Sequence, residues 1–426
     1  MKRAGAGGER AGTAPAAPGA PVGPGGVWLV VALGALSGFG PLCLDMYLPA
    51  LPQLPADLSS TAAAAQLTLS ACIVGLGVGQ LVGGPLSDRL GRRGPLLLGV
   101  AVFVATSVIC AVTTSMTVLI TVRLLQGAAG AAGIVIGRAI VADLFTGKAA
   151  AAYFSTIAAI NGLAPILAPV IGGQVLRVGT WRTVFWVLAG IGVALLVLAF
   201  LVIRETLPPQ RRSSGGMGGT LRAFGTLVRD RGYTGAVLAG TMVSAAMFGY
   251  ISAAPFLLQD GFGLSAQWFS ACFALNAVGI IVATQVGRML LSRTTSFALL
   301  TWGVGQCLVG AVLLSVTVLA GWPLPMVLIS LFVMVSSVGL ALPHSSAIVM
   351  DRHRRIAGSA SGLFGLAMFA FGAVTAPLAG LGDPLAGTAL AVTAVVAALI
   401  GVLALAIARP VGAGARRPEP ERLAPS

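Results

Sequence analysis

Apolar runs of about 18 residues or more recur along this chain from Val27 to Ala408, separated by short turns. Inside hydrocarbon a backbone finds no water, so every N–H and C=O must find its partner within the chain. Runs of this length meet that demand as membrane-spanning helices. Composition agrees: 57% of the 426 residues are hydrophobic and 9% are charged, with a mean hydropathy of +0.96. A soluble domain carries roughly a quarter charged residues. Frequent Gly and Ala suit helices that pack closely in lipid.

Charges, Gly/Pro turns and the length a bilayer allows divide the chain into twelve helices. They fall at roughly 27–51, 63–86, 95–115, 117–141, 150–175 and 182–203, then 234–259, 265–290, 297–320, 324–349, 358–380 and 385–409. The expected fold is therefore an all-α membrane protein, twelve transmembrane helices in two six-helix halves.

Net charge is +14, which could suggest a nucleic-acid binder, but the distribution argues against one. All but three of the 26 Lys/Arg lie in the termini or in alternate loops, the exceptions being Arg123, Arg177 and Arg182. Such a bias marks the cytoplasmic side of a membrane protein and adds attraction to anionic lipid. It puts both termini in the cytoplasm, together with the loops holding Arg89, Arg92 and Arg93; Arg138 and Lys148; Arg288 and Arg293; and Arg352, Arg354 and Arg355.

The domain reading follows. Residues 1–26 and 410–426, rich in Ala, Gly and Pro, are expected to be disordered cytoplasmic tails. A bundle at 27–203 is joined to a second bundle at 234–409 by a basic linker, 204–233. Ser213 to Gly219 is flexible in composition. Leu221, Phe224, Leu227 and Val228 follow at helical spacing beside Arg222 and Arg229, which predicts a short helix lying on the inner surface. Two six-helix halves joined by a basic loop form a transporter plan, with substrate expected between the halves. The five cysteines lie in apolar runs without metal-ligand spacing and read as small packing residues.

The turn Gly84-Pro85-Leu86-Ser87-Asp88-Arg89-Leu90-Gly91-Arg92-Arg93-Gly94-Pro95 carries an acid and three arginines between two apolar runs. Gly84 to Leu97 resembles the loop signature of the major facilitator superfamily. VRLLQGAAGAAG, with Arg123, Gln126 and Gly127, resembles the signature of that family's fourth helix. Leu44 to Pro52 (LDMYLPALP) resembles the first-helix exit of its twelve-helix drug:proton antiporters of the Bcr/CflA type. RAIVADLF, APILAPVIGG, YISAAPFLLQDGFGLS and AGSASGLFG are similar to other stretches of that branch. Departures are Ala142 where the branch tends to carry arginine, Ala164 and Ala168 where glycines are preferred, and a degenerate second copy of the loop at Gly287 to Thr294.

The resemblance implies that Asp88, Arg89, Arg92 and Arg93 act as a cytoplasmic gate latch that holds an outward-open state; a turn that merely fixes topology is the simpler alternative. It also implies that Pro165 and Pro169 bend the fifth helix in a way linked to antiport. From the residues themselves, Asp45 is the acid that falls inside a predicted helix away from a cytoplasmic end, where a carboxylate is costly unless protonated, paired or wet. Asp45 and Arg123 each sit about six residues from the outer end of their helices, ~9 Å deep at ~1.5 Å per residue. They are read as a proton-coupling pair, the alternative being a fixed ion pair between the first and fourth helices.

Tyr47, Gln126, Asn161, Met247, Phe248, Tyr250, Asn276 and Phe369 are candidates to line a drug cavity, or are ordinary packing residues. Gly75, Gly79 and Gly83, and likewise Gly358 and Gly362, share helix faces expected to pack closely. His344 reads as a buried hydrogen-bonded histidine, and His353 needs no special role. The sequence carries no nucleotide loop, metal cluster or nucleophile–base set, so an enzyme, a metal site and a cofactor are not expected.

The resulting reading is proton-driven efflux of small amphipathic drugs across a bacterial cytoplasmic membrane by a functional monomer, with drug, protons and lipid as its partners and no nucleic acid. A proton-coupled metabolite transporter, for an amino acid or a sugar, and a non-transporting sensor or scaffold are the alternatives.

Overall fold

A computed structural model describes residues 24–145, 147–212, 218–353, 357–381 and 387–408. Both expected tails beyond these bounds, most of the Ser213–Gly219 stretch, Arg354 and Arg355 lie outside the described residues, as do the side chains of Lys148 and Asn161.

The described elements are all helical, with no strand among them. The first half holds α1 (Pro24–Ser37), α2 (Phe39–Asp45), a 3-10 turn at Leu48–Gln53, α3 (Leu54–Asp57) and α4 (Ala62–Leu90). It continues with α5 (Arg93–Val112), α6 (Met116–Leu144), α7 (Gly147–Val175) and α8 (Trp181–Val202). α9 (Gly218–Arg229) leads into α10 (Arg231–Pro255), α11 (Ala266–Leu290), α12 (Ser296–Leu319), α13 (Leu324–Ser336), α14 (Val338–Arg352), α15 (Ala357–Leu378) and α16 (Thr388–Ala408). Ten helices among the described residues are long and apolar enough to cross a membrane, and the bent pair at the N-terminus makes an eleventh. The remaining rod is the 29-residue α7, apolar over Gly162–Val175. This is the expected twelve-rod plan.

Helix starts follow local chemistry. Thr61, Ser115, Ser265 and Thr295 each cap a free backbone N–H three residues on, opening α4, α6, α11 and α12. Three interruptions go beyond the sequence reading. The span expected over 27–51 bends by 41° near Gly38 and leaves α-geometry after Asp45. Pro49 and Pro52 have no N–H to give to the carbonyls of Asp45 and Leu48, so the chain tightens into the 3-10 turn. Likewise α10 passes after Pro255 into a π turn, Phe256–Gly261. The span expected at 324–349 is split at Ser337, whose hydroxyl donates to the Met334 carbonyl at 2.5 Å.

Glycine sets the tightest crossing. Gly75 and Gly79 of α4 face the backbone of Leu124 and Ala128 in α6, and Gly127 of α6 faces the backbone of Cys72. A Cβ at any of the three would overlap main chain, so the helices meet at backbone distance. Gly83 is looser, since a Cβ there would lie 3.8 Å from the Ala132 Cα. The second expected stripe is corrected: Gly362 has nothing within 4 Å because it borders open space, and the surroundings of Gly358 lie outside the described residues.

One end of the bundle carries Arg89, Arg92, Arg93, Arg204, Arg288, Arg293 and Arg352 and is called the basic end; the other is the far end. At the far end the halves are tied by hydrogen bonds. The Gln259 amide donates to the Pro49 carbonyl at 3.2 Å, and the Gln267 amide to the Gly173 carbonyl at 2.8 Å. Nearer the middle, Gly77 of α4 lies against Phe369 of α15. Toward the basic end no hydrogen bond or ion pair among the described residues joins the first six rods to the last six, and a cavity opens between them. The expected surface helix exists as α9; Leu227 is buried with Tyr233 and Val349 while Val228 remains exposed.

Candidate functional site

The cavity has a volume of about 780 Å³ and is walled by both halves. α2 contributes Pro41, Leu44 and Asp45; α4 contributes Leu76, Gly77 and Gln80; α6 contributes Ile134 and Arg138; and α7 contributes Pro165. From the second half come Met247, Phe248 and Tyr250 of α10, Phe273 and Asn276 of α11, and Phe364, Met368 and Phe369 of α15. Most of this surface is hydrocarbon and aromatic, with few polar groups to fix orientation, which suits a partly apolar ligand. Tyr250 stacks on Phe273 at 5.6 Å and accepts a 2.7 Å hydrogen bond from the Asn276 amide; Phe248 and Phe369 face each other at 6.1 Å. The flexible Met247 and Met368 add adaptable wall.

Five of the eight sequence-predicted cavity candidates therefore line it: Met247, Phe248, Tyr250, Asn276 and Phe369. Tyr47 and Gln126 do not. Both are fully buried behind the wall, where the Tyr47 hydroxyl meets Thr68 at 3.2 Å and the Gln126 amide donates to Ser107 at 2.7 Å. The reason is the turn after Asp45, which swings Tyr47 inward beneath α4 and α8. The side chain of Asn161 lies outside the described residues. α7 runs continuously through Pro165 and Pro169, the former at the cavity and the latter buried.

Asp45 ends α2 at the deep end of the cavity. It is 6% exposed and makes no hydrogen bond or ion pair with any described residue. Arg123 is fully buried on the adjoining α6, and it does not pair with Asp45. One Nη donates to the Cys43 carbonyl at 2.8 Å and to Gln126 Oε1 at 2.7 Å. The guanidinium also lies over the rings of Tyr47, at 4.9 Å, and Phe185, at 5.7 Å. Its Nε and other Nη are buried without a partner. The two residues are thus neighbours through one stretch of backbone, the Cys43 carbonyl lying two positions before Asp45. Cys43 and Cys72 meet here with sulfurs 3.6 Å apart.

At the basic end, the predicted latch residues separate. Arg92 pairs with Asp88 at 2.5 Å and with Asp143 at 2.9 Å, while Arg93 donates to the Phe200 carbonyl and stacks over its ring. Arg89 is exposed and makes no hydrogen bond or ion pair with a described residue. Two acids the sequence reading passed over complete the network. Asp143, in RAIVADLF, closes α6 against Arg92 and Thr206. Glu205 receives the backbone N–H groups of Arg92 and Arg93 at 2.8 and 3.2 Å. Burial pushes the Glu205 carboxyl up, but the N–H donors of Leu207, Arg92, Arg93 and Thr206 outweigh it and hold the group below its ordinary range. Gly91 makes this fit possible, since its φ is +99° and a Cβ there would run into the Glu205 carboxylate. All of these contacts lie within the first half and the start of the linker that follows it.

The second half has its own cluster. Asp230 caps α10 and holds Arg352 at 2.6 Å and His353 at 2.9 Å. The hydrogen bond from Arg352 is the main reason its carboxyl is held down at about 2. His353 is thereby corrected from a residue without a role to a partner of Asp230. His344 is buried, 6% exposed, but it packs on Gly287 and makes no hydrogen bond with a described residue, contrary to expectation. At the far end Arg182 lies 3.7 Å from Asp57, which also takes the Trp181 indole N–H at 2.8 Å; this accounts for one of the arginines that broke the loop-charge pattern.

Arg138 was missed as a cavity residue. Its place in the chain suggested a basic loop, whereas α6 continues to Leu144 and turns Arg138 to the cavity. No group of three or more His, Cys, Asp or Glu among the described residues is placed to hold a metal.

The family model for the Major Facilitator Superfamily matches residues 27–377. An uncharacterized transporter of this type, YdgK of Bacillus subtilis, is 38% identical over 377 residues, covering 87% of this chain and 94% of that protein. A bicyclomycin resistance protein homolog of Haemophilus influenzae is 28% identical, covering 82% and 88%. Among solved structures, a bacterial homolog of the human lysosomal transporter Spinster matches with a TM-score of 0.69 at 14% identity, covering 90% of this chain and 96% of that one.

Proposed function

Because the chain belongs to the Major Facilitator Superfamily, we propose that it is a proton-coupled exporter of small amphipathic drugs, of the Bcr/CflA type, in a bacterial cytoplasmic membrane. One observation carries the reading: an unpartnered carboxylate, Asp45, stands at the deep end of a largely apolar cavity of about 780 Å³ between the two halves. A carboxylate there is stable only when protonated or when something polar enters beside it. Proton and substrate therefore compete for one site. Entry of a proton from the far end neutralises Asp45 and releases the cargo, and reorientation of the halves carries the emptied site back to the basic end, which we take as cytoplasmic.

Arg123 supports this arrangement from behind the wall. It fixes the backbone before Asp45 without neutralising the carboxylate by direct contact. In this reading the Arg92 cluster, with Asp88, Asp143 and Glu205, is a gate element at the basic end, but its bonds are intact while the cavity faces that end, so it does not by itself hold an outward-open state. The relative from Haemophilus influenzae, a bicyclomycin resistance protein homolog, supports a toxic compound as cargo. The protein would act as a monomer, since the cavity is complete within one chain.

The test is expression in an efflux-deficient bacterial host, screened against an antibiotic panel with and without an uncoupler. Raised resistance to amphipathic compounds that disappears with the uncoupler is expected. No change in resistance, together with proton flux stimulated by a sugar or an amino acid in proteoliposomes, would replace drug efflux by metabolite transport.

A further inference from the structure

The cavity lining contains two charged side chains, Asp45 and Arg138. Arg138 is exposed to that space and makes no hydrogen bond or ion pair with any described residue. An unpaired guanidinium on a helix inside the membrane is costly unless the space it faces is wet or supplies an anion. Its position is also distinctive. A Cβ at Gly137, the preceding residue, would lie 3.8 Å from the Leu33 carbonyl oxygen, so Arg138 is level with that part of α1. Asp45 lies roughly twelve residues further along the same span, ~18 Å at ~1.5 Å per residue. A negative pole at the deep end and a positive pole nearer the basic end thus bracket an apolar and aromatic midsection of Phe248, Tyr250 and Phe369.

We propose that Arg138 is a specificity-determining contact for an anionic group on the substrate, and that the preferred cargo is an elongated zwitterionic amphiphile rather than a bare lipophilic cation. This rests on the efflux reading above. A planar guanidinium pairs with a carboxylate through two parallel hydrogen bonds, and its long stem lets the head follow ligands of different length. The cationic end of the same molecule then lies toward Asp45, and the aromatic midsection takes the body. A simple lipophilic cation would meet Arg138 first and be disfavoured by like charge. A zwitterion satisfies both poles at once.

The experiment uses the full-length protein in proteoliposomes with an internal pH dye. Two probes share one scaffold: a zwitterionic quinolone carboxylate and its methyl ester, which keeps the amine and loses the anion. In the wild type, half-saturation of proton flux is expected at about tenfold lower concentration for the acid than for the ester, the worth of one charge-assisted contact. Arg138→Gln should raise the acid's half-saturation by about tenfold and leave the ester's unchanged, and Arg138→Lys should recover part of the difference. Equal half-saturation of the two probes in the wild type, or a change in both probes alike on Arg138→Gln, overturns the inference while leaving drug efflux intact. Flux with neither probe nor any member of the antibiotic panel removes the efflux reading and this inference together. The wild-type ratio decides the matter even if the variants do not fold.

Discussion

Arg123 gives its hydrogen bond to the Cys43 carbonyl, at 2.8 Å, and leaves Asp45, two residues further on, without a cation. Arginine so placed fixes the backbone that carries the acid rather than cancelling its charge. The acid stays available to the cavity, and the guanidinium stays locked among Gln126, Tyr47 and Phe185.

Asp45→Asn should therefore remove function without removing the fold. The carboxylate holds no internal partner, so its loss leaves no orphaned group, and the stability change should stay within about 0.5 kcal/mol. Drug-stimulated proton flux should fall to background while the amount of protein in the membrane is unchanged. Normal export by this variant would sink the proposed coupling.

Arg123→Ala should behave in the opposite way. It strips the buried Gln126 Oε1 and the Cys43 carbonyl of their donor and leaves a cavity beneath two aromatic rings, at a cost of about 2 kcal/mol or more. A lowered thermal midpoint in detergent is expected, together with loss of transport. An unchanged midpoint would show that Arg123 carries no structural load.

Gly91→Ala tests the turn at the basic end. A side chain there meets both a left-handed backbone, φ +99°, and the Glu205 carboxylate that receives the Arg92 and Arg93 N–H groups. With ψ at 166° this is a region essentially reserved to glycine, and the strain alone is worth about 1–3 kcal/mol, so Gly91→Ala should destabilise more than Gly94→Ala, where a Cβ has nothing within 4 Å. Equal denaturation midpoints for the two variants would refute this.

The Asp230 cluster should lose its contribution in acid. Its carboxyl lies at about 2 in the folded protein against an ordinary 3.8, so the folded state favours the ionised form. The associated stability is fully present above pH ~4 and drains away as the pH falls toward about 2. Asp230→Asn should flatten that part of the stability-versus-pH curve, read from thermal midpoints. A wild-type curve already flat across this window would contradict the assignment.

Gly79→Val probes the closest helix crossing. The added branches would strike the Ala128 backbone and push α4 from α6, so severe loss of folded protein is expected. Gly362→Val should be tolerated structurally, because that glycine faces open space. Size-exclusion profiles of the two variants would separate them.

Particular residues show how far sequence could reach. The Gly75–Gly79 face was legible because small residues four apart have few other uses in lipid, and Asp45 stood out because an acid in an apolar run is expensive. Asp143 and Glu205 escaped because they lie 51 and 113 residues from Arg92 and their pairing exists only after folding. Gln126 and Tyr47 were placed in the cavity because their polarity suggested it, but the proline-driven turn after Asp45 carried Tyr47 behind the wall, and Gln126 faces Ser107 and Arg123 there. Arg138 reads as loop charge by its nearness to the end of the helix expected over 117–141, and only the rotation of α6 about its axis shows that it faces the cavity.

Hydropathy, glycine spacing and charge bias were sufficient to determine that this chain spans a membrane as twelve helical rods, because in hydrocarbon the backbone has almost no alternative. Which charges meet and which stay free was decided only by tertiary structure. Pairing depends on the rotation of each helix about its axis and on breaks of one or two residues, and a change of either by a single position moves a side chain from the cavity to the packed interior.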